Sequence, residues 1–444
     1  MEAQPAWPRR VDGAAVHAGR AHVDHGARVR ARRAPRAAHA AAAWRRAPAA
    51  GRAHARGPRA VGLDPAPRRR RAARPAVVRR AAVAIVGAGP AGTAAALRLG
   101  QLGVRDVVLV DRADFPRDKT CGSGVSPRGI RTLRELGAWD AIEPHAYRVT
   151  GLRLVTPGDR EVVVSGGEAA AAVVCLRRTL DHALLERARA LGVDFRPGVT
   201  VQALRTEGER VAGVVGRDGR EIAARFTLVA DGAHSRLAVD TRPPRTLQAI
   251  MGWWEGAPFR GHHVEMVFDR LVTPGYGWLF PESATRVNIG ICYEDPAHAR
   301  NGRHVFEAFL DKHYARRLRG ATQVGGFKGH PIAYTFRIGR LSAPGRLVVG
   351  EAGRMVHPAT AEGISQGMRS GIFAAEAVAA ALGGLDERAA RAGYEARCRR
   401  AFGASFAAAR LWRAAVSSSA LDRVVAAVQR PAVKTALARL MAAM

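Results

Sequence analysis

The sequence predicts an α/β fold: a doubly wound, Rossmann-like domain with an inserted antiparallel-sheet domain and a helical C-terminus. Three observations carry this prediction. Short apolar runs rich in Val, Ile and Leu end on a glycine or an acid, as buried parallel strands do at their carboxyl ends. Between Leu247 and Ile338 the pattern changes to period two, with aromatic and β-branched residues. From Ala374 the chain is rich in Ala and Arg and reads as helix, interrupted at Pro431. The Rossmann-like domain is then discontinuous, over 80–150, 173–240 and 341–385. The sheet domain takes 151–172 and 241–340, and the C-terminal helices take 386–444.

The first unit runs from Val83 to Asp111. The apolar run Ala82-Val83-Ala84-Ile85-Val86 fits a buried strand, and Gly87-Ala88-Gly89-Pro90-Ala91-Gly92 follows without a gap. Gly87 permits a tight turn, Gly89 lets the backbone approach a pyrophosphate, and Gly92 lets the next helix lie close to the strand. Pro90 and Ala91 complete the turn and open the helix, whose N-terminus favours an anion. The helix passes through Thr93, Ala94, Ala95, Ala96 and Leu99 and stops near Gly103. Val107-Val108-Leu109-Val110 is the second strand, ending on Asp111, whose carboxylate is placed for an adenosine ribose. This turn suits FAD and NAD equally.

The chain has 444 residues, long enough for two to three domains, and a net charge of +32. Residues 1–80 hold 20 Arg, no Lys and four acids (Glu2, Asp12, Asp24, Asp64), so half of the charge sits in under a fifth of the chain. With no Ser, Thr, Ile, Phe or Tyr there, residues 1–79 are expected to be a disordered Arg/Ala/Pro-rich extension. Such an arm fits either attachment to acidic polymers or membranes, or a non-functional extension. Specific nucleic-acid recognition is not expected. Cys121, Cys175, Cys292 and Cys398 are scattered without metal-ligand spacing, so no metal site is expected and a cytoplasmic location is. No run of eighteen apolar residues occurs, so the expected membrane relation is at most peripheral, at the inner face.

Arg112 to Gly124 is too polar and glycine-rich for a strand or helix, and reads as a functional loop leaving the second strand. Arg112, Cys121 and Gly122 in it are candidate site residues. Val173 to Leu176 reads as a strand, followed by a helix with Leu180, Leu184, Ala188 and Leu191 on one face; Asp181 and Arg187 are placed on its solvated side. Arg177, where strand meets helix, is either a nucleotide contact or a solvated helix-start arginine. Phe226-Thr227-Leu228-Val229-Ala230 is a buried strand ending at Asp231-Gly232. Leu347-Val348-Val349 is another, ending at Gly350-Glu351, and Glu362-Gly363-Ile364 then opens a long helix. Three acids at strand ends exceed the needs of one NAD site. In the period-two region, Ile250–Trp254, Val264–Phe268, Tyr276–Phe280 and Val287–Ile291 read as strands, with a helix from Val305 to about Leu318. Tyr276, Trp278 and Phe280 share one strand face.

The Gly87 turn, Asp231-Gly232 with Ser235 and Arg236, and Gly350-Glu351 before Pro358 resemble the three FAD fingerprints of the flavoprotein hydroxylase superfamily. Within it, Lys119-x-Cys121-Gly122-x-Gly124 and Pro274-Gly275-Tyr276-Gly277-Trp278-Leu279-Phe280-Pro281 resemble the signatures of the geranylgeranyl reductase family. The resemblance covers about residues 80–410. It implies FAD as cofactor, NADPH or another electron donor binding transiently, and reduction of carbon-carbon double bonds in an isoprenoid chain carried by a small molecule or lipid. It further implies Gly363 and Ile364 near the flavin ring, and Cys121, Tyr276 and Trp278 as the catalytic and substrate-facing residues. The chain departs from the family at Asp111, Glu351, His357 and Ala361, where Glu, Asp, Asn and Gly are usual. If the loop at 361 needs positive φ, Ala there costs about 1 kcal/mol. His357 reads as a proton donor near the flavin or as a solvated loop residue. The alternative activity is a flavin-dependent monooxygenase of a small hydrophobic substrate. A halogenase is disfavoured, since no W-x-W-x-I-P stretch occurs and the chain has four lysines.

Overall fold

In the computed structural model, residues 77–167 and 171–428 are described. The expectations for residues 1–76 and for the helical tail from 429 lie outside them. The first strand begins at Val77, five residues before the expected run at Ala82–Val86 and three before the expected domain boundary at 80.

The first sheet runs in the order Ser342–Ala343, Arg346–Val348, Glu221–Val229, Val77–Val86, Val107–Val110 and Asp194–Arg196. Adjacent strands from Arg346–Val348 to Asp194–Arg196 are parallel, with Ile85 opposite both Leu228 and Leu109. Val107 to Val110 are buried throughout, which is why their sequence is a continuous apolar run rather than an alternating one. Val201–Glu207 and Arg210–Gly216 form a hairpin folded antiparallel onto Glu221–Val229.

Helix α1, Pro90–Gln101, lies against this sheet, and α6, Ile364–Leu382, packs on α1. The packing is close because both partners are small there. A β-carbon on Gly371 would sit 2.2 Å from the Ala91 carbonyl oxygen, and one on Gly350 would sit 2.6 Å from the Ala91 β-carbon. The other described helices are α2 (Pro127–Glu135), α3 (Arg177–Ala190), α4 (Gly302–His313), α5 (Ala315–Leu318), α7 (Glu387–Val416) and α8 (Ala420–Val428). The helix expected from Val305 to Leu318 is therefore two, α4 and α5, joined at Tyr314. That residue leaves the helical region with φ −129° and buries its ring in the core beneath the second sheet.

The second sheet runs Thr322–Gln323, Arg245–Glu255, Arg286–Tyr293, Tyr276–Pro281, His263–Val267, Gly151–Val155 and Glu161–Ser165, with Lys328–Tyr334 also paired to Arg245–Glu255. It is antiparallel except where His263–Val267 meets Gly151–Val155 in parallel, a pairing the expected antiparallel sheet did not include. Gly151–Val155 and Glu161–Ser165 thus reach this sheet from a point in the chain about a hundred residues earlier. The strand expected at Val173–Leu176 is Ala172–Val174. It joins Gly124–Val125 and Tyr147–Val149 in a separate three-stranded sheet rather than the Rossmann-like one.

Candidate active site

Three parallel strands of the first sheet, Arg346–Val348 beside Glu221–Val229 and, across Val77–Val86, Val107–Val110, end at the same sheet edge, and each is followed there by an acid: Glu351, Asp231 and Asp111. The glycine turn sits among them. Gly87 has φ +101°, and a β-carbon on it would lie 2.4 Å from the Ala230 carbonyl oxygen; one on Gly92 would lie 1.9 Å from the Gly87 carbonyl oxygen. These two glycines are required by the fold. Gly89 is different. Its β-carbon would meet nothing nearer than Arg177 Nη2 at 3.9 Å and Arg117 Nη2 at 4.0 Å, so the turn faces two guanidinium groups across open space.

Pro90 and Ala91 occupy the first positions of α1, whose N-cap is Gly89; no side chain caps it and no acid sits in its first turn. The same holds for α6, with Gly363 as N-cap and Ile364 as first residue. Two helix N-termini without a side-chain cap and a pair of arginines make an anion cradle, while Glu362, just before α6, is engaged by the Ser126 and Ser365 hydroxyls and the Gln366 amide. Gln366, on the first turn of α6, leaves a buried Oε1 without a hydrogen-bond partner. A dinucleotide fits this set: the helix N-termini and arginines donate to a pyrophosphate, and the Gln366 oxygen accepts from an N–H or O–H of the bound group.

Asp111 is held in place by the turn: the Ala88 amide donates to Oδ2 at 2.8 Å and the Ala113 amide to Oδ1 at 2.9 Å. Arg112 is exposed beside it. Asp231 and Gly232 follow their strand into the cleft, with Gly232 at φ +87° and no atom near its missing β-carbon. Glu351 accepts a hydrogen bond from the Ala333 amide at 3.0 Å, and burial pushes its carboxyl above the ordinary range.

Arg177 lies at the glycine turn, and the reason is Asp181, one helical turn on. Arg177 Nε and Nη2 each donate to the Asp181 carboxylate at 2.8 Å, and Arg117 Nη1 approaches it at 3.2 Å. Asp181 is fully buried. Its expected place on the solvated side of α3 is therefore wrong. The core face of that helix extends far enough round to take a carboxylate that neutralises two arginines. Sequence reasoning missed Arg117; the i, i+4 spacing of Arg177 and Asp181 was the readable signal for the pair.

Across the cleft, Lys119 Nζ hydrogen-bonds His330 Nε2, while His330 Nδ1 donates to the Pro331 carbonyl at 2.6 Å. Burial and the neighbouring Lys119 push the His330 imidazole down to about 4, and burial likewise lowers the Lys119 amine. His330 stands on Lys328–Tyr334, a strand without a motif, so nothing in the sequence announced it. His357 is a loop organiser: its Nδ1 accepts from the Ala359 and Thr360 amides, both at 3.3 Å, and burial lowers its imidazole. Ala361 has φ +54°.

Cys121 is half-buried, its sulfur accepting from the Ser123 amide at 3.3 Å. The loop it occupies rests on the Tyr276–Pro281 strand. β-Carbons on Gly122 and Gly124 would touch the Phe280 ring at 3.3 and 3.2 Å, and Gly122 would also touch Trp278 Nε1 at 3.3 Å. Tyr276, Trp278 and Phe280 form one ladder of rings at successive centroid distances of 6.2 Å. Tyr276 and Trp278 are almost wholly buried, with Trp278 Nε1 donating to Asn288 Oδ1 at 2.7 Å and the Tyr276 hydroxyl to the Thr360 carbonyl at 2.5 Å. The opposite face is not bare: the Phe309 ring fills the space beside Gly277. The ladder is packed against Phe268, Tyr334, Val416, Leu421 and Val425 rather than standing along an open tunnel.

Residues 80–256 match the model of an FAD binding domain. The chain is 33% identical over 320 residues to the menaquinone reductase of Mycolicibacterium smegmatis, covering 67% of this chain and 76% of the relative. It is 28% identical over 368 residues to digeranylgeranylglycerophospholipid reductase 1 of Methanothermobacter thermautotrophicus, covering 78% and 90%. Among solved structures, a geranylgeranyl bacteriochlorophyll reductase-like protein from Thermoplasma acidophilum superposes with a TM-score of 0.74 at 21% identity, covering 82% of this chain and 96% of that one. A flavin-dependent brominase superposes with a TM-score of 0.70 at 20% identity, covering 82% and 93%. At these identities the superpositions speak for the fold, which the two enzymes share.

Proposed function

Because the chain belongs to the geranylgeranyl reductase family of FAD-dependent oxidoreductases, we propose that it reduces carbon-carbon double bonds in the prenyl chain of a lipid or quinone. The observation that carries this reading is the ring ladder of Tyr276, Trp278 and Phe280, which ends against the Cys121–Gly124 loop at the mouth of the dinucleotide cradle. Tyr276 and Trp278 are buried, so the surface the ladder leaves to a ligand is the half-buried, apolar Phe280 ring, and the ladder's polar atoms are already spent on Asn288 and Thr360. Such a wall favours hydrocarbon and gives a polar ring nothing to bond.

Bound FAD, reduced by NADPH or another donor, would supply hydride to one alkene carbon while a proton reaches the other. The protein's residues hold and orient. Gly87, Gly89, Gly92 and the α1 N-terminus would take the pyrophosphate with Arg117 and Arg177, Asp111 the ribose, and Glu351 the ribityl chain. The α6 N-terminus at Gly363 and Ile364 would face the ring and favour its anionic form. Burial pushes the Tyr276 hydroxyl well above its ordinary value, so it keeps its proton on the Thr360 carbonyl and acts in positioning. The sheet face, with Trp278 and Phe280, excludes water from the alkene.

Relatives named for menaquinone and for digeranylgeranylglycerophospholipid support a membrane-resident substrate and peripheral association with the bilayer. No helix among the described residues is long and apolar enough to cross a membrane. The test is anaerobic: reduce the purified flavoprotein, add a polyprenyl quinone or an unsaturated archaeal-type phospholipid, and record product mass. Gains of two hydrogens are expected. Substrate left unchanged, with an oxygen-inserted product once air is admitted, would establish the monooxygenase alternative instead.

A further inference from the structure

Five large hydrophobic side chains are exposed among the described residues: Leu102, Leu176, Leu385, Leu411 and Trp412. Only Leu411 and Trp412 adjoin, on the last turns of α7, at 77% and 37% exposure. The inner edge of Trp412 continues a row. Its ring meets Phe268 edge-on at 5.8 Å, and Phe268 meets Tyr276 at 5.9 Å. From there the ladder runs through Trp278 and Phe280 to Gly122 and Gly124. Aromatic rings thus lead without a break from solvent to the loop beside the cofactor cradle. Val416, Leu421 and Val425 of α7 and α8 pack over this row.

The charge of the segment is mostly positive. Residues 396–428 hold six arginines and one acid, Asp422. Asp422 is occupied, accepting from the Thr156 hydroxyl and, at 3.1 Å, from the Gly158 amide. Arg397, Arg399 and Arg413 are paired with Glu376, Glu395 and Glu294. Arg400, Arg410 and Arg423 are exposed and pair with no acid among the described residues. Arg400, Ala404, Ala408 and Leu411 fall on one stripe of α7 by their helical spacing, all exposed. An exposed tryptophan and leucine with Arg410 beside them in sequence, and exposed Arg400 and Arg423 on α7 and α8, have the composition of a surface that seats in the interfacial layer of an anionic bilayer.

We infer that the end of α7, with Leu411 and Trp412 exposed beside Arg410, docks on an anionic lipid bilayer, with Arg400 farther along the same helix and Arg423 on α8 adding positive charge. This rests on the lipid substrate proposed above, and the test separates the two.

Full-length holoprotein is mixed with phosphatidylglycerol–phosphatidylcholine vesicles whose acyl chains carry bromine, without substrate. The emission of Trp412 is isolated as the difference between wild type and Trp412→Phe. Electrostatic binding through residues 1–76 holds protein at the vesicle surface without bringing bromine to Trp412. The expected result is quenching of Trp412, partition into these vesicles about tenfold weaker for Leu411→Asp, and unchanged turnover of a detergent-dispersed prenyl substrate by that variant. Unquenched Trp412, or equal partition of Leu411→Asp, overturns the docking face. So does a dimer that Leu411→Asp dissociates, which assigns the face to a second copy, or quenching that appears only after residues 430–444 are removed, which assigns it to the tail. If Trp412 is quenched but detergent-dispersed prenyl substrate is never reduced, the docking stands and the proposed function falls.

Discussion

Gly89 and Gly92 stand three residues apart, yet their substitutions are expected to fail in different ways. A side chain at Gly89 projects toward Arg117 and Arg177 with nothing nearer than 3.9 Å, so the apo fold tolerates it and the pyrophosphate does not. Gly89→Val should therefore purify with little flavin and an unchanged apo melting temperature. Gly92→Ala forces a β-carbon to 1.9 Å from the Gly87 carbonyl and should lower the melting temperature as well. Ala361 offers the opposite experiment. At φ +54° it pays for a left-handed backbone, and Ala361→Gly should stabilise the protein by about 1 kcal/mol in denaturant titrations and tighten FAD binding. Asp181 carries the largest single expected loss. Removing the buried carboxylate between Arg117 and Arg177 leaves two guanidinium groups uncompensated, so Asp181→Ala should cost about 3–5 kcal/mol.

At the scale of elements, the Lys328–Tyr334 strand brings a pH response to the cleft. Folding holds the His330 imidazole near 4, against 6.5 for an ordinary histidine. Between those values the unfolded chain binds a proton that the folded chain refuses, so stability falls as pH drops from about 6.5 toward 4. His357, lowered by burial, acts in the same direction. The melting temperature should decline over that window, and His330→Gln should flatten the slope. Elements written in local pattern were legible in the sequence: the Gly87 turn, the Val107–Val110 run, the alternation of Tyr276, Trp278 and Phe280. What was not legible depends on partners distant in the chain. The parallel join of His263–Val267 to Gly151–Val155 has no local signature, since a strand's sequence does not state the direction of its neighbour. His330 gains its character from burial and from Lys119, 211 residues away. Asp181 was misplaced because a charged residue at the edge of an apolar helical face reads as solvated until its cation partners are known.

For the whole molecule, the strand from Val77 and everything it pairs with lie downstream of the Arg-rich segment. Deleting residues 1–76 should leave flavin content and the reductase mass shift unchanged, and the measurement is the ratio of flavin to protein absorbance after purification. The cradle itself draws on both ends of the FAD-binding domain. Its first half is the turn at Gly87–Gly92, and its second is the start of α6, seated on Ala91 through Gly367 and Gly371. Two backbones that touch there are separated by some 280 residues of chain. During synthesis the glycine turn leaves the ribosome early and must wait, uncovered, until α6 has also emerged. Nascent chains arrested before Gly371 should capture no flavin however long they are given, and the holoenzyme forms only after nearly all of the polypeptide has been made.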